Sequence, residues 1–379
     1  MVFFDNQPAK QIEEYKKLLQ MTGSISNLSL ESTVPYLYYR VAENAFCRAF
    51  QADNLSRSDC SADARKNKSG IGLKTFHEKN GKSMQKIAEF NKDILTFNSL
   101  LPLEKAKRIA ELRNKRIEFT KRTYAVDYMK YHCIIREKGK MLICEEPMEL
   151  INLENLKLSK STPKSLSFKD GKNEYNFNVS KSVLLKKFKR TSVAEVKVEI
   201  LENPFDLLDK TLTKQKKEVL RTMKIKYQYI VLPLYALEKK VKAVPERSGL
   251  NQWNARGRAR DKDEVYIKVP TWIHQNFPGF FPRRDTEFEL ELPNGEYLST
   301  KICQDGDKAL MSNPNKALGK WILRDVLALK KGKLLTYKML QEMGIDSVII
   351  KKTGKLKYEI DFREEGEFEK FEENKNKAQ

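Results

Sequence analysis

Residues 70–76 read Gly-Ile-Gly-Leu-Lys-Thr-Phe, a short apolar run bounded by Gly, which predicts a buried strand. Alternation puts Ile71, Leu73 and Thr75 on one face and Gly72, Lys74 and Phe76 on the other. Lys74 is the anomaly, because an unpaired ammonium inside a sheet is costly. An ion pair or an edge position would explain it structurally, and chemistry is the alternative. Asp63 closes the polar turn of residues 55–63, eleven residues before Lys74.

Working outward, residues 35–50 (PYLYYRVAENAFCRAF) open on Pro and repeat apolar residues at helical spacing, which predicts a helix. Residues 83–97 also read as helical. A third helix is expected at residues 102–121, with eight basic residues from Lys105 to Arg122 beside Glu104, Glu111 and Glu118; it is either a solvated face or a phosphate-facing one. Hairpins are expected at 131–144 and 165–177, and residues 227–235 (YQYIVLPLY) read as a last central strand. Residues 237–248 then lose apolar periodicity. Beyond them come short strands at 265–269, 286–292, 297–302, 347–351 and 356–362, a hairpin turn at Asn294-Gly295, and helices at 317–329 and 337–342. The boundaries that follow are 1–236 for a first domain, 237–247 for a linker and 248–362 for a second. The remaining 363–379 form an acidic tail, with six Glu against four basic residues, that is expected to be disordered.

The whole chain of 379 residues carries 72 Lys and Arg against 51 Asp and Glu, a net charge of +21. Nucleic acid is the leading partner class, and solubility alone is the plain alternative. No basic amphipathic helix suits a membrane surface, no apolar run is long enough to span one, and the amino terminus does not read as a secretory signal. A cytoplasmic, bacterial location without a membrane partner is expected. Five widely spaced Cys read as reduced thiols, and three scattered His give little material for a metal site or a triad. No phosphate-cradling G-x-x-x-x-G-K-[ST] loop is present.

Carboxylate and lysine chemistry remains. Phosphodiester hydrolysis asks for a hard cation on oxygen ligands and a positive group near the attacking water. Asp63 followed by Lys74 resembles the PD-(D/E)xK nuclease fold, whose core is a helix bearing Glu, a strand ending in Asp and a strand bearing (D/E)-x-K. That resemblance implies an α/β nuclease core, a mixed sheet flanked by helices, with Asp63, Lys74, Glu89 and Glu43 catalytic and Mg2+ on Asp63 and Glu89. The chain departs from the pattern at Gly72, where the acid two before Lys74 is missing; some restriction endonucleases of this fold carry it on the following helix, where Glu89 is expected. Glu78 and Asp59 are spare acids that read as surface charge. A rival is His77-Glu78-Lys79, the H-x-K of metal-independent phospholipase D-type nucleases. Met84 stands where that motif carries Asp, and a second H-x-K would need a homodimer, an assembly state left open.

Residues 248–261 (SGLNQWNARGRARD) combine Asn, Gln, Trp and Arg without an apolar stripe; a solvated loop is the plain reading, yet these amides and guanidiniums suit base edges. Residues 304–316 (QDGDKALMSNPNK) form a second such stretch. With Phe280-Phe281-Pro282, Cys303-Gln304-Asp305 and residues 344–348 (GIDSV), they resemble the C-terminal DNA-binding domain of NgoFVII-type restriction endonucleases. That domain is related to the effector domains of EcoRII and BfiI and to plant pseudobarrels. The resemblance implies a mostly β pseudobarrel gripping double-stranded DNA with two arms. Asn251, Gln252, Trp253, Asn254, Arg256, Arg258 and Arg260 belong to the first, and Lys308, Ser312, Asn313 and Asn315 to the second. Trp253 reads equally well as a core anchor. The two resemblances together imply a type II restriction endonuclease with a separately encoded cognate DNA methyltransferase. A non-catalytic, sequence-specific DNA-binding protein is the competing class.

Overall fold

Helices α1 (Ala9–Ser24) and α2 (Tyr39–Phe50) open the chain, and α2 buries Ala42, Ala45, Phe46, Ala49 and Phe50, an i, i+3, i+4 stripe. Pro35 lies outside α2, which starts after the extended Tyr38 and ends at the left-handed Gln51. Strands β1 (Asp53–Asn54), β2 (Ala64–Lys66) and β3 (Ser69–His77) follow as an antiparallel set. Next come β4 (Met84–Glu89), helix α3 (Pro102–Thr123), and the hairpin β5 (Tyr128–Glu137) and β6 (Lys140–Pro147). The strands β7 (Lys157–Thr162), β8 (Ser165–Lys169), β9 (Glu174–Asn178), β10 (Val183–Lys187) and β11 (Ser192–Lys197) precede helix α4 (Pro204–Gln215). This computed structural model describes residues 3–29, 32–56, 60–77, 83–215, 228–238 and 241–374. It divides into two units, residues 1–117 with 126–225, and residues 118–125 with 226–379.

The first unit holds two sheets. One is mixed, in the order β1-β2-β3-β5-β6-β11, with β3 and β5 parallel, a pairing that requires the long crossover between them. Its Ile71, Leu73, Ile134 and Ile143 pack with Phe46 and Phe50 in one core beneath α1 and α2. The opposite face, with Gly72 and Phe76, meets Tyr131, Met148 and Phe188. The second sheet is antiparallel, β4-β10-β9-β8-β7, and buries Leu166, Phe168, Tyr175, Phe177 and Leu184 with Ala106, Ile109 and Ala110 of α3. Two helices, then β1 to β3, and β5 after the crossover through β4 and α3, give the mixed sheet with helices expected from sequence.

Residues 83–97 are not a helix. They form strand β4, antiparallel to β10, and then a 3-10 turn, Asn91–Thr96. Ile87 is a bulged residue, since Lys86 pairs with Leu185 while Ala88 pairs with Leu184. The inserted residue breaks the two-residue alternation and mimics helical spacing in the sequence.

The second unit is built on a seven-stranded sheet. Its strands are β12 (Gln228–Pro233), β15 (Ile267–Lys268), β16 (Phe288–Glu291), β17 (Tyr297–Cys303), β18 (Ala309–Ser312), β19 (Ile345–Lys352) and β20 (Lys357–Glu364); a separate ribbon joins β13 (Ala236–Glu238) to β14 (Val241–Ala243). The order is β12-β19-β20-β16-β17-β18-β15, and the outer strands β12 and β15 approach each other, so the sheet is nearly closed. It is accompanied by the helices α5 (Thr271–Asn276), α6 (Ala317–Gly319, continuing as a wider turn through Val326), α7 (Tyr337–Met343) and α8 (Glu367–Asn374). Asn294-Gly295 makes the β16–β17 turn, with Gly295 at positive φ.

Three expected boundaries move. Residues 228–233 pair with β19, so this strand belongs to the second unit, which starts at residue 226 and not 248. The expected linker 237–247 contains the β13–β14 ribbon, and Lys242 of β14 is anchored by Asp346 at 2.9 Å. The tail is ordered through residue 374. Strand β20 runs to Glu364, and α8 packs Phe368 and Phe371 against Trp272 while Phe371 also stacks on Phe277, which offsets the mutual repulsion of its Glu residues. All five cysteines are free thiols; Cys47, Cys133 and Cys144 are buried, and Cys60 and Cys303 are half-buried.

Candidate active site and DNA-reading loops

Asp63 stands where β2 begins and hydrogen-bonds β3 twice. Its amide donates to the Ile71 carbonyl at 2.8 Å, and its Oδ2 accepts from the Leu73 amide at 2.7 Å. These bonds bring Oδ2 to 4.0 Å from Lys74 Nζ. Both side chains are about a quarter exposed, 28% for Asp63 and 26% for Lys74, so the lysine ends in a partly open site and not in the core. Glu43 is presented by α2 and is almost buried. Its Oε2 accepts from Arg40 at 3.1 Å, and Arg40 also donates to the Ser56 carbonyl. Burial first, and the Asp63 charge second, push the Glu43 carboxyl above its ordinary value, with Arg40 opposing. Glu43, Asp63 and Lys74 therefore share one electrostatic locus.

Glu89 does not join them in the way expected. It lies on β4, in the other sheet, opposite Val183, and its carboxylate is engaged by Lys86 and Asn91. The strand geometry is the reason, because the helix that was to carry Glu89 back toward Lys74 is absent. At Gly72 a Cβ would sit 2.7 Å from the Met148 methyl and 3.3 Å from the Tyr131 ring, so a larger residue there would displace the flexible end of Met148. Among the described residues no group of three or more Asp, Glu, His or Cys converges as for a metal cage. Mg2+ binds through one or two carboxylates together with water and substrate phosphate, and Asp63 and Glu43 are the carboxylates of this locus that could contribute to such a site. His77 ends β3, while Glu78, Lys79 and Asp59 lie outside the described residues.

Arg113 of α3 escaped the sequence reading. It is 3% exposed and donates to Ser61 Oγ at 2.8 Å and Tyr131 Oη at 2.9 Å, so it braces the turn two residues before Asp63. Its signal was its place in the apolar stripe Ala106, Ile109, Ala110, Ile117. Other basic residues of α3 are also engaged, Arg108 with Glu111 one turn on and Arg116 with the buried Asp93, so neither is a free charge on a phosphate-facing stripe.

In the second unit, the first expected arm is a 3-10 turn, Gly249–Asn254, followed by an irregular loop. Asn251 is fully buried; its amide donates to the Pro245 and Leu335 carbonyls, and its Oδ1 accepts from the Leu335 amide. It holds the loop base and cannot present itself to a nucleotide. Trp253 is a core anchor, buried under the Lys262 ammonium at 4.6 Å from the ring. Gln252 is half-buried, and Asn254 is exposed with its amide on the Glu246 carbonyl. Arg258 pairs with Glu264, and Arg260 donates to the Ala255, Arg256 and Arg258 carbonyls, so both shape the loop from within. Arg256 is exposed on its rim.

The second arm divides in the same way. Ser312 is buried, donating to the Pro314 carbonyl and accepting from the Leu318 amide, which makes it a structural clamp. Lys308, Asn313 and Asn315 are exposed, and Asn313 donates to Glu287 at 2.6 Å. The two arms are tied together at Gly319, where a Cβ would fall 1.9 Å from the Asp263 carbonyl oxygen. Arg324 completes the tie, with Nε 2.6 Å from Asp263 and a second donation to the Lys262 carbonyl.

Residues 228–354 match the NgoFVII C-terminal B3-like DNA-binding domain. The nearly closed sheet and the tied loops fit that assignment: the second unit carries a DNA-binding domain of the restriction-enzyme type. The NgoFVII-type match begins at β12, in agreement with a unit that starts at residue 226, and covers about a third of the chain. No curated protein matches the chain. Among the described residues no helix is long and apolar enough to cross a membrane.

Proposed function

We propose that the chain is a type II restriction endonuclease, which reads a short duplex sequence with its NgoFVII-type domain and hydrolyses phosphodiester bonds with its first unit in the presence of Mg2+. The observation that carries this reading is the convergence of Asp63, Lys74 and Glu43 in a helix-flanked mixed sheet, in the same chain as a restriction-type DNA-binding domain. Asp63 and Glu43 are the residues that would hold the metal. Bound there, Mg2+ would neutralise charge that builds on the scissile phosphate.

The chain's own groups have separate tasks. Two backbone hydrogen bonds fix Asp63 to β3, so its carboxylate is set before substrate arrives. The Lys74 ammonium stands beside it, where it orients the attacking water and stabilises negative charge. Arg40 pairs with Glu43 and offsets part of the cost of its burial and of the Asp63 charge. The partner is double-stranded DNA, and a cognate methyltransferase protecting the same sequence is proposed as a separate protein.

Digestion of a mapped plasmid with Mg2+ and with excess EDTA tests the assignment. Discrete fragments are expected only with the metal; cutting that persists in EDTA would favour the His77 and Lys79 chemistry. No cutting with any divalent metal would leave a DNA-binding protein without catalysis. Asp63→Ala or Lys74→Ala is expected to lower the cleavage rate by about a thousandfold or more while sequence-specific gel shifts persist. Loss of both together would refute the division of labour.

A further inference from the structure

Residues 157–190 hold ten Lys or Arg against Asp170 and Glu174, so this stretch alone supplies eight of the chain's net +21. It forms β7 to β10, and strand registers show where the charges point. Directly paired residues share a face. One row across the sheet reads Lys157, Lys169, Glu174, Lys187, Met84, and the next reads Lys160, Ser167, Asn176, Leu185, Lys86. This face is opposite the one that buries Leu166, Phe168, Phe177 and Leu184.

The acids on this face are already engaged. Glu174 bonds Lys169 and Lys187, which hold its carboxyl below the usual range, and Glu89 bonds Lys86 and Asn91. Lys157 and Lys160 are exposed and form no ion pair among the described residues, as is Lys164 in the β7–β8 turn. Between them the floor is small and polar: Asn176 donates to Ser165 Oγ at 2.7 Å and to Ser167 Oγ at 2.9 Å. The paired rows carry no aromatic side chain that would insert into a lipid surface. At about 4.8 Å per strand the face is about 20 Å wide, enough for about half a turn of duplex.

We propose that this face is a sequence-independent contact for the phosphate backbone of duplex DNA, additional to the reading loops of the NgoFVII-type domain. The proposal rests on the reading of the chain as an enzyme acting on DNA. A lysine-lined face whose Asn176 amide is already committed to Ser165 and Ser167 suits phosphates and not sequence.

The test is binding of the full chain to a random-sequence duplex in EDTA, measured across a salt series. Lys157→Ala, Lys160→Ala and Lys164→Ala are combined in one variant. A control variant combines Lys10→Ala, Lys17→Ala and Lys138→Ala, three exposed lysines elsewhere in the first unit. Each phosphate contact adds about 0.9 to the slope of log affinity against log salt, so the first variant is expected to lose about 2.7 while the control stays near wild type. An unchanged slope in the first variant overturns the proposal. Equal losses in both variants also overturn it, because net charge alone would then be at work. Tighter binding to vesicles of anionic lipid than to duplex, through the same lysines, overturns the choice of partner. Because EDTA removes cleavage from the readout, a chain that cuts no DNA under any metal but shows the slope change would refute the endonuclease reading and leave this surface standing.

Discussion

In the proposed site, Glu43 would set stability against function in a single carboxyl. Burial and the Asp63 charge raise its proton affinity in the folded chain, so the folded state favours the protonated form and ionisation at rising pH works against folding. Glu43→Gln removes that term. Thermal unfolding is expected to give the same Tm for variant and wild type below about pH 4, where both side chains are neutral. The variant should become the more stable once the pH rises through the folded-state pKa of Glu43, and it should lose cleavage. A variant less stable than wild type at neutral pH would show that the Arg40 bond outweighs burial. Asn251, Ser312 and Trp253 teach a related lesson. Their residue types suit DNA, but their atoms are committed to the loop bases and the core, whereas Arg256, Lys308, Asn313 and Asn315 are exposed.

At the scale of elements, the two loops expected to meet DNA lean on a helix that lies outside both. Gly319 in α6 lies against the Asp263 carbonyl, where a methyl group has no room. Gly319→Ala is expected to cost about 1–3 kcal/mol in chemical denaturation and to weaken specific DNA binding, because either α6 or the loop before Asp263 must move. Unchanged stability and binding would mean that the tie is slack. Hairpins and helices with strong local signals were legible, among them β5–β6, β8–β9, the Asn294-Gly295 turn and α3. Strand β4 was not, since its bulge at Ile87 imitates helical spacing, and with it went the placement of Glu89.

For the molecule as a whole, the second unit extends beyond the segment that matches the NgoFVII-type domain. Strand β20, after residue 354, sits between β19 and β16 and joins them. A fragment of residues 228–354 is therefore expected to lack a cooperative unfolding transition, and one of residues 226–379 to show one, by circular dichroism with heating. Folding of the shorter fragment would show that β19 and β16 can close without β20. Residues 118–125 also contribute, since Phe119 packs on Phe362 and Tyr124 bonds Asp361 at 2.8 Å.

The sequence by itself determined the α/β and mostly β characters of the two halves, the pair Asp63 and Lys74, and the resemblance of the second half to a restriction-type DNA-binding domain. Those features are local: alternation, turn residues and short motifs are set by neighbours along the chain. Tertiary structure alone decided which carboxylate stands beside Asp63, which loop side chains are spent on packing, and where the second unit begins. Each of these depends on residues far apart in sequence, Glu43 feeling the charge of Asp63, Asn251 bonded to Leu335, and residues 228–233 paired with β19, and proximity across such distances leaves no periodicity to read.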